Sequence, residues 1–174
     1  MNYCSVDNCV PLLIQQNFNG SDVFNRSWAE YKVGFNDTRG NYWLGNDILS
    51  QLTLTGRYKL RIDLQSRSNT SKWYYADFST FTVQPESSNY TLHMAGFSGN
   101  ANHNPFWYVE GHKFSTFDRD NDLSPGECAV VVAGGFWLNW CHYVCLNCKH
   151  GEFYWHGLPG GKLLQSSRMS LHCK

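Results

Sequence analysis

The strongest constraint on the fold is the strict alternation of apolar and charged residues over 58–64, in "YKLRIDL". Successive side chains of a strand point to opposite faces, so this period of two predicts a strand with one buried face. Shorter alternations follow at 81–83 ("FTV"), 89–94 ("NYTLHM") and 168–172 ("RMSLH"). Together they predict a sheet that packs one face against the core.

The predicted helices are short. In "SWAEY", Ser27 is followed three residues later by Glu30, which is the pattern of a capping box at a helix start. In "NDILSQL" (46–52), Asn46 is a suitable N-cap for about two helical turns. Both helices are expected to flank the sheet.

A single domain is predicted for 1–174, a length that suits one hydrophobic core. Residues 1–94 carry the strand and helix patterns, whereas 95–174 are rich in glycine and loops before a returning C-terminal strand. The predicted class is therefore α+β, with a sheet-and-helix part and a loop-built functional part. Within the second part, "HNPFWY" and "YWHGLPGG" are expected to be turn and core segments.

The charge balance excludes two classes of partner. Lys plus Arg and Asp plus Glu each total 14, so no net charge favours nucleic acid or an anionic membrane surface. The longest apolar stretch, "CAVVVAGGFWL" (128–138), is broken by two glycines and is too short to span a bilayer. We predict no nucleic-acid partner and no membrane insertion.

Sequons and cysteines predict a secreted glycoprotein. The acceptor pattern N-x-S/T stands at Asn19, Asn25, Asn36, Asn69 and Asn89. Seven cysteines accompany the sequons, and their odd number predicts at least one thiol that is free or bonded to another chain. The first residues do not resemble a signal peptide, so we expect the sequence to begin inside a longer product or to lack its leader.

Three carboxylates stand at alternate positions in "STFDRDNDLSPGEC" (115–128), namely Asp118, Asp120 and Asp122. Carboxylates and backbone carbonyls of a flexible loop are the ligands that calcium takes, although the spacing is not that of an EF-hand. From the residues alone, a solvated acidic turn is an equal alternative.

A second candidate metal site is "CHYVCLNCKH" (141–150), with three cysteines and two histidines in ten residues. Cys145 and Cys148, with His142 or His150, have the spacing of half a zinc knuckle. The sequons argue against zinc because they indicate an oxidising compartment. No nucleophile elbow or paired catalytic motif occurs in the sequence, so we predict that the protein is not an enzyme.

Several segments follow one another in a characteristic order: "WAEYKVGF", "YWLGNDILSQLT", "GRYKLRIDL", "YADFSTFTV", "YTLHMAGFSGNA", "KFSTFDRDND", "CAVVVAGGFW", "CH" and "LN". From about Tyr3 to Met169, this series resembles the fibrinogen-related (fibrinogen C-terminal-like) domain of ficolins, tachylectins, tenascins and angiopoietins. The resemblance implies a twisted antiparallel sheet with short flanking helices and a loop-rich calcium- and ligand-binding subregion. Two departures are a missing opening segment, which leaves Cys4 without its usual partner, and a shortened loop after Asn147.

The resemblance also implies a calcium site. Its ligands would be the side chains of Asp120 and Asp122 and the backbone carbonyls of Ser124 and Gly126. Asp118 would be an outer-shell or structural residue, and Arg119 would offset some of the remaining negative charge.

Next to that site, the resemblance implies a disulfide between Cys128 and Cys141. In lectin members this cystine forms part of an acetyl-binding pocket, which the histidine after the second cysteine, here His142, also lines. The family often has a cis peptide bond before the second cysteine, so a cis Trp140–Cys141 bond is a further expectation.

Two walls of the implied pocket differ from the family pattern. Val132 stands where acetyl-binding members often carry an aromatic residue. The other aromatic wall comes from the shortened loop, where Phe153, Tyr154 or Trp155 is a candidate replacement. The expected ligand-binding residues are Cys141, His142, Val132 and Tyr154.

The resemblance thus implies a secreted, calcium-binding recognition domain for acetylated or related glycans, as in lectin-type members of innate immunity. The alternative is a protein-binding module of the angiopoietin or tenascin type that uses the same surface. Calcium is the expected cofactor, and an N-terminal region outside this sequence is a possible means of oligomerisation. A third class, an intracellular zinc-stabilised domain, would have free thiols in place of disulfides.

Overall fold

A computed structural model describes residues 10–141 and 143–174, and a seven-stranded sheet forms their centre. Within these ranges the strands are β1 (Leu12–Phe18), β2 (Phe35–Asn36), β3 (Tyr42–Trp43), β4 (Tyr58–Ser66), β5 (Asn69–Val83), β6 (Leu92–Gly99), β7 (Phe114–Ser115), β8 (Phe136–Trp137), β9 (Val144–Cys145), β10 (Tyr154–Trp155) and β11 (Leu164–Cys173). The order across the large sheet is β2–β3–β1–β11–β4–β5–β6, and its paired strands are antiparallel. The predicted antiparallel α+β fold is confirmed.

Short helices flank this sheet, as predicted. The α-helices of the described ranges are α1 (Trp28–Val33), α2 (Asn46–Thr53) and α3 (Cys128–Val132), and 3-10 turns cover Asp22–Phe24, Glu86–Ser88 and Pro105–Tyr108. Within those ranges, no helix combines the length and the apolar character that crossing a bilayer requires.

The alternation at 58–64 forms the predicted strand. Its apolar side chains are all buried in β4, where Leu60 lies opposite Phe78 of β5 and Leu171 of β11. A slip of one residue would turn this whole row toward solvent, so the alternation also fixes the register. The patterns at 81–83 and 168–172 lie in β5 and β11, while β6 begins only at Leu92 of the third pattern.

The two predicted helix starts differ in outcome. The capping box of α1 is present, because Ser27 Oγ accepts from the Glu30 N–H (3.3 Å) and the Glu30 carboxylate accepts from the Ser27 N–H (2.9 Å). The prediction of Asn46 as N-cap of α2 is wrong, since Gly45 occupies that position with φ of +109°. Asn46 instead lies inside the helix, and its Oδ1 accepts from the indole N–H of buried Trp43 (3.0 Å).

A buried polar network attaches the loop-rich part to the sheet. From β1, Gln15 Nε2 and Asn17 Nδ2 both donate to the Leu146 carbonyl, at 2.7 and 2.9 Å. Asn147 Nδ2 donates to the Gly135 carbonyl (3.1 Å), and the three amide side chains are fully buried. Leaving such a group unpaired costs about 1–3 kcal/mol, so the network favours one arrangement of the loops on the sheet.

Candidate functional site

The three aspartates lie in an exposed loop between β7 and α3, here called the aspartate loop (118–127). Asp120 Oδ1 accepts from the Asp122 N–H (3.0 Å), and Asp122 Oδ1 accepts from the Ser124 N–H (2.8 Å). The other oxygen of Asp122 accepts from the N–H of Cys128 (3.1 Å), at the start of α3. Each carboxylate therefore orders the backbone that follows it, and the two are held close together.

Electrostatics work against this pair. Burial raises the pKa of the Asp122 carboxyl above its usual value, and the neighbouring Asp120 carboxylate raises it further. Among residues 10–141 and 143–174, no lysine, arginine or histidine forms an ion pair with Asp120 or Asp122. The pair thus carries negative charge without a protein cation to balance it.

Arg119, expected to offset this charge, points elsewhere. Its guanidinium lies over the Trp28 ring, 4.1 Å from the centroid, and donates to Asn89 Oδ1 (2.7 Å). Asp118 accepts from the Trp28 N–H (2.8 Å) and from the Thr116 hydroxyl (2.7 Å). Both residues therefore anchor the aspartate loop to α1, and the offset expected from Arg119 is wrong.

The donor set of the loop fits calcium. Two carboxylates with no cation partner, beside backbone carbonyls in a polar loop, are the hard oxygen ligands that this ion takes. In the described part of the chain, no third histidine, cysteine, aspartate or glutamate joins them as a metal cluster. Any ion held by Asp120 and Asp122 would therefore depend on backbone oxygens, such as those of Ser124 and Gly126, and on water.

A disulfide joins the end of the aspartate loop to the segment after β8. Cys128 and Cys141 are bonded, with their Cα atoms 4.9 Å apart, as the resemblance implied. The peptide bonds of the described residues include no cis bond, so the expectation for Trp140–Cys141 is wrong. The bend is made instead at Cys141, whose φ of +55° lies in the left-handed region.

The remaining cysteines exclude the zinc-knuckle alternative. Cys145 and Cys148 form a second disulfide, and both are fully buried. Neither sulfur is therefore available as a thiolate ligand. Cys173 is also disulfide-bonded, while Cys4 and Cys9 lie outside the described residues.

The predicted pocket residues differ in their exposure. Val132 is fully buried in α3, so it offers no surface to a ligand, and this expectation is wrong. His142 lies outside the described residues. Tyr154 is half-buried in β10, and burial, with the nearby Glu152 carboxylate and the phenols of Tyr143 and Tyr108, raises its pKa to about 12.

An aromatic surface that was not predicted from the sequence lies beside the cystine and is here called the aromatic ledge (Trp107, Tyr108, Tyr143 and His156). The Tyr143 ring centroid lies 4.7 Å from that of Tyr108, 4.9 Å from that of His156 and 6.0 Å from that of Trp107. The Tyr108 hydroxyl donates to the Trp140 carbonyl (3.3 Å), which connects the ledge to the cystine. Rings of this surface come from two segments that were expected to be turn and core, "HNPFWY" and "YWHGLPGG", and these rings are half-buried or exposed. The only sequence feature that indicated such a surface was the pair of adjacent aromatic residues, Trp107 and Tyr108.

The sequons differ in accessibility. Asn19, Asn25, Asn36 and Asn69 are exposed. Asn89 is half-buried, and its Oδ1 accepts from Arg119. The first four side chains are therefore accessible to solvent, whereas Asn89 is partly covered and bonded to the aspartate loop.

Comparison with known proteins gives a consistent result. The family model described as fibrinogen beta and gamma chains, C-terminal globular domain, matches residues 2–161. Human microfibril-associated glycoprotein 4 is 44% identical over 138 residues, which cover 78% of this chain and 54% of that protein. Mouse tenascin is 38% identical over 148 residues, which cover 80% of this chain and 7% of tenascin. This chain therefore spans about half, or far less, of the length of these relatives.

Solved structures agree with the sequence relatives. The fibrinogen-like globe domain of human ANGPTL2 superposes with a TM-score of 0.81 at 33% identity, covering 91% of this chain and 78% of that one. Lamprey fibrin D-dimer, complexed with the peptide Gly-His-Arg-Pro-amide, superposes with a TM-score of 0.82 at 30% identity, covering 98% of this chain and 63% of that one.

Proposed function

Because this chain belongs to the family of fibrinogen C-terminal globular domains, we propose that it is a calcium-binding recognition domain that acts outside the cell. The observation that carries the proposal is the Asp120–Asp122 pair, two like charges that form no ion pair with a cation of the described residues, next to the Cys128–Cys141 disulfide. Five sequons and the disulfides support an extracellular, glycosylated state.

Calcium, when bound, would supply positive charge that neutralises the carboxylate pair and orders the aspartate loop. Hydrogen bonds within the chain connect the aspartate loop to the segments around the disulfide. Asp122 binds the Cys128 N–H, and the Leu123 N–H donates to the Asn139 carbonyl (3.1 Å). Both segments that carry the cystine are thus connected to the aspartate loop, so a fixed loop fixes the surface around Cys128 and Cys141.

The ligand that we propose for this surface is an acetylated or related glycan. Tyr154 and the aromatic ledge supply rings beside the cystine, and rings with polar edges are suited to sugars, which have apolar C–H faces and polar hydroxyls. Recognition of surface glycans in innate immunity is the corresponding biological role. The domain binds without catalysis, and oligomerisation through a region outside this sequence would raise its avidity.

A second candidate is a protein-binding module. Large apolar side chains near the cystine are strongly exposed: Leu123 by 62%, Val131 by 56% and Trp140 by 63%. Such exposure is typical of protein interaction sites. The lamprey fibrin structure, in which a peptide ligand is bound, agrees with this candidate.

Calorimetry on protein secreted from a glycosylating host tests the proposal. Wild type should bind one calcium ion, and the Asp120→Ala/Asp122→Ala variant should bind none. Asp22→Ala, which removes an exposed aspartate distant in sequence, is the matched control and should bind as wild type does. Absence of calcium binding in folded wild type would refute the central claim.

The same samples then separate the two candidates. N-acetylglucosamine should give a heat of binding in the presence of calcium and lose it in a chelator. Calcium binding with no response to any sugar would favour the protein-binding module.

A further inference from the structure

The rings of the aromatic ledge are in mutual contact without covering each other's faces. The Tyr108 and Tyr143 planes meet at 52°, and those of Trp107 and Tyr143 meet at 50°. Trp107 is 60% exposed and Tyr143 is 38% exposed. Ring faces that are tilted and open to solvent in this way are accessible to a ligand.

Three rings elsewhere in the described part of the molecule are covered by cations. Arg168 lies over the exposed Trp73 (5.4 Å to the centroid), Arg61 over Tyr75 (4.3 Å) and Lys162 over Tyr154 (5.3 Å). Throughout 10–141 and 143–174, no lysine or arginine lies over a ring of the ledge. The ledge differs from those three rings because its faces are not covered by a lysine or arginine of the described residues.

The ledge is held rigid by buried neighbours. Asn139 Nδ2 donates to the Tyr108 carbonyl (3.1 Å), and the His156 N–H donates to the Tyr143 carbonyl (3.0 Å). The buried Trp155, adjacent to His156, donates its indole N–H to the His103 carbonyl (3.0 Å). These bonds fix the backbone that carries the rings, so little backbone entropy is lost when a ligand binds here.

We propose that the ledge is a subsite that stacks on the C–H face of an uncharged pyranose ring, with Trp107 as the main platform. The inference rests on the proposed function and adds to it the kind of contact that the ledge makes and the residue that makes most of it. Among the ion pairs of the described residues none involves His156, and no lysine or arginine lies over these rings, so the ledge presents uncharged ring faces that suit an uncharged ligand. The tyrosine hydroxyls and the His156 imidazole supply hydrogen-bonding groups that match sugar hydroxyls.

An NMR titration with two trisaccharides tests the proposal. Cellotriose and N,N′,N″-triacetylchitotriose (here chitotriose) have the same β-linked backbone, and only the latter carries acetamido groups. Both should bind wild-type protein with calcium present. Trp107→Ala should weaken both by roughly two- to twelvefold, since an aromatic contact of this kind contributes about 0.5–1.5 kcal/mol.

Two controls isolate the stacking contact. Trp107→Phe keeps an aromatic face and should recover most of the affinity. Trp73→Ala removes an exposed tryptophan whose face is covered by Arg168, and it should leave sugar binding unchanged. Because Trp107 is exposed, its variants should keep the wild-type thermal unfolding midpoint and calcium affinity.

The outcomes distinguish this inference from the proposed function. If Trp107→Ala binds the sugars with wild-type affinity, the proposed stacking subsite is wrong even if calcium binds. It is also wrong if the ledge binds an arginine-containing peptide more tightly than the sugars. Loss of sugar binding in Trp107→Ala, in a protein that binds no calcium, supports the ledge while the calcium proposal fails. Calcium binding with no affinity for either trisaccharide overturns the ledge and leaves the calcium site in place.

Discussion

The two parts of the molecule reach order in different ways. Up to β6, long strands such as β4 and β5 pair over continuous ladders whose buried face is set by alternation. Beyond β6 and before β11, the strands are two residues long, and order comes from the disulfides, buried amides and packed rings. Where side-chain interactions hold the chain in place, the backbone does not need to follow a regular helix or strand. Side chains that the regular hydrogen-bond ladder of a sheet would keep apart can therefore lie next to each other in the loop-rich part.

The surface reflects that difference. The loop-rich part holds most of the exposed large apolar side chains of the described residues: Trp107, Phe117, Leu123, Val130, Val131, Trp140 and Tyr143. It also holds the Asp120–Asp122 pair, for which the described part of the chain supplies no ion-pair partner. The sheet therefore supplies a stable base, and the loops supply the recognition surface.

The largest expected effect comes from removing a ring that joins the two parts. Trp137 is fully buried, contacts Trp43 and Phe81 of the sheet part, and donates its indole N–H to the Tyr90 carbonyl (2.8 Å). Trp137→Ala should lower the free energy of unfolding by about 3–5 kcal/mol. Denaturant titration followed by far- and near-ultraviolet circular dichroism measures the loss.

The same titration tests whether the sheet part and the loop-rich part unfold together. If they fold as one unit, both signals should change at a single midpoint. Trp140→Ala, which removes an exposed ring of the same kind, is the control and should change stability by less than about 0.5 kcal/mol. A loss of similar size in both variants would contradict the bridging role of Trp137.

The second effect is confined to the loop-rich part. Cys128→Ala/Cys141→Ala opens a disulfide with a sequence separation of 13 and should cost about 3 kcal/mol in the chain-entropy model. Cys145→Ala/Cys148→Ala, with a separation of 3, should cost about 2 kcal/mol in the same model. Hydrogen exchange should show the first loss in 118–141, and exchange that rises equally in β4 would contradict this confinement.

Sequence alone predicted the sheet part well because its signal is periodic. The row of apolar residues at 58–64 and the Ser27–Glu30 capping box depend on local spacing, and both are present. The Asn46 cap failed because buried Trp43 takes its amide oxygen, a competition that no local pattern shows.

In the loop-rich part, sequence reasoning identified single motifs but not their assembly. The aspartate loop and the Cys128–Cys141 disulfide carry sequence signatures, so the resemblance located them. The aromatic ledge brings together Trp107, Tyr143 and His156 from distant positions through packing alone. Arg119 was misassigned because its partner Trp28 lies far away in sequence.

The third effect tests the polar network between the parts. Gln15→Ala leaves the Leu146 carbonyl and Ser167 Oγ with fewer partners, and it should cost about 2 kcal/mol, since buried polar groups are left unpaired. Gln16→Ala, at the next position of β1, removes an exposed bond to the Gly40 carbonyl and should cost under about 1 kcal/mol. Thermal unfolding of both variants gives the comparison, and equal losses would mean that the network does not hold the parts together.

The smallest effect concerns Glu86, which connects α1 to the aspartate loop. The bonds from the Lys32 ammonium and the Trp28 indole N–H lower the pKa of the Glu86 carboxyl, and Arg119 of the aspartate loop lies 3.8 Å from it. Since the folded pKa is below the unfolded one, Glu86 stabilises the fold fully above the ordinary value of 4.5. That contribution is lost as the pH falls through the lowered folded value.

Glu86→Gln should therefore reduce stability at pH 7 by no more than about 1 kcal/mol, because the group is partly exposed and screened by solvent. The difference from wild type should vanish below the folded pKa of Glu86, where the wild-type carboxyl is itself protonated. Urea titrations from pH 7 to pH 3 measure it. If the difference in the free energy of unfolding between wild type and Glu86→Gln stays constant over this range, Glu86 acts through packing and not through charge. The aspartate loop and α1 would then not be coupled electrostatically.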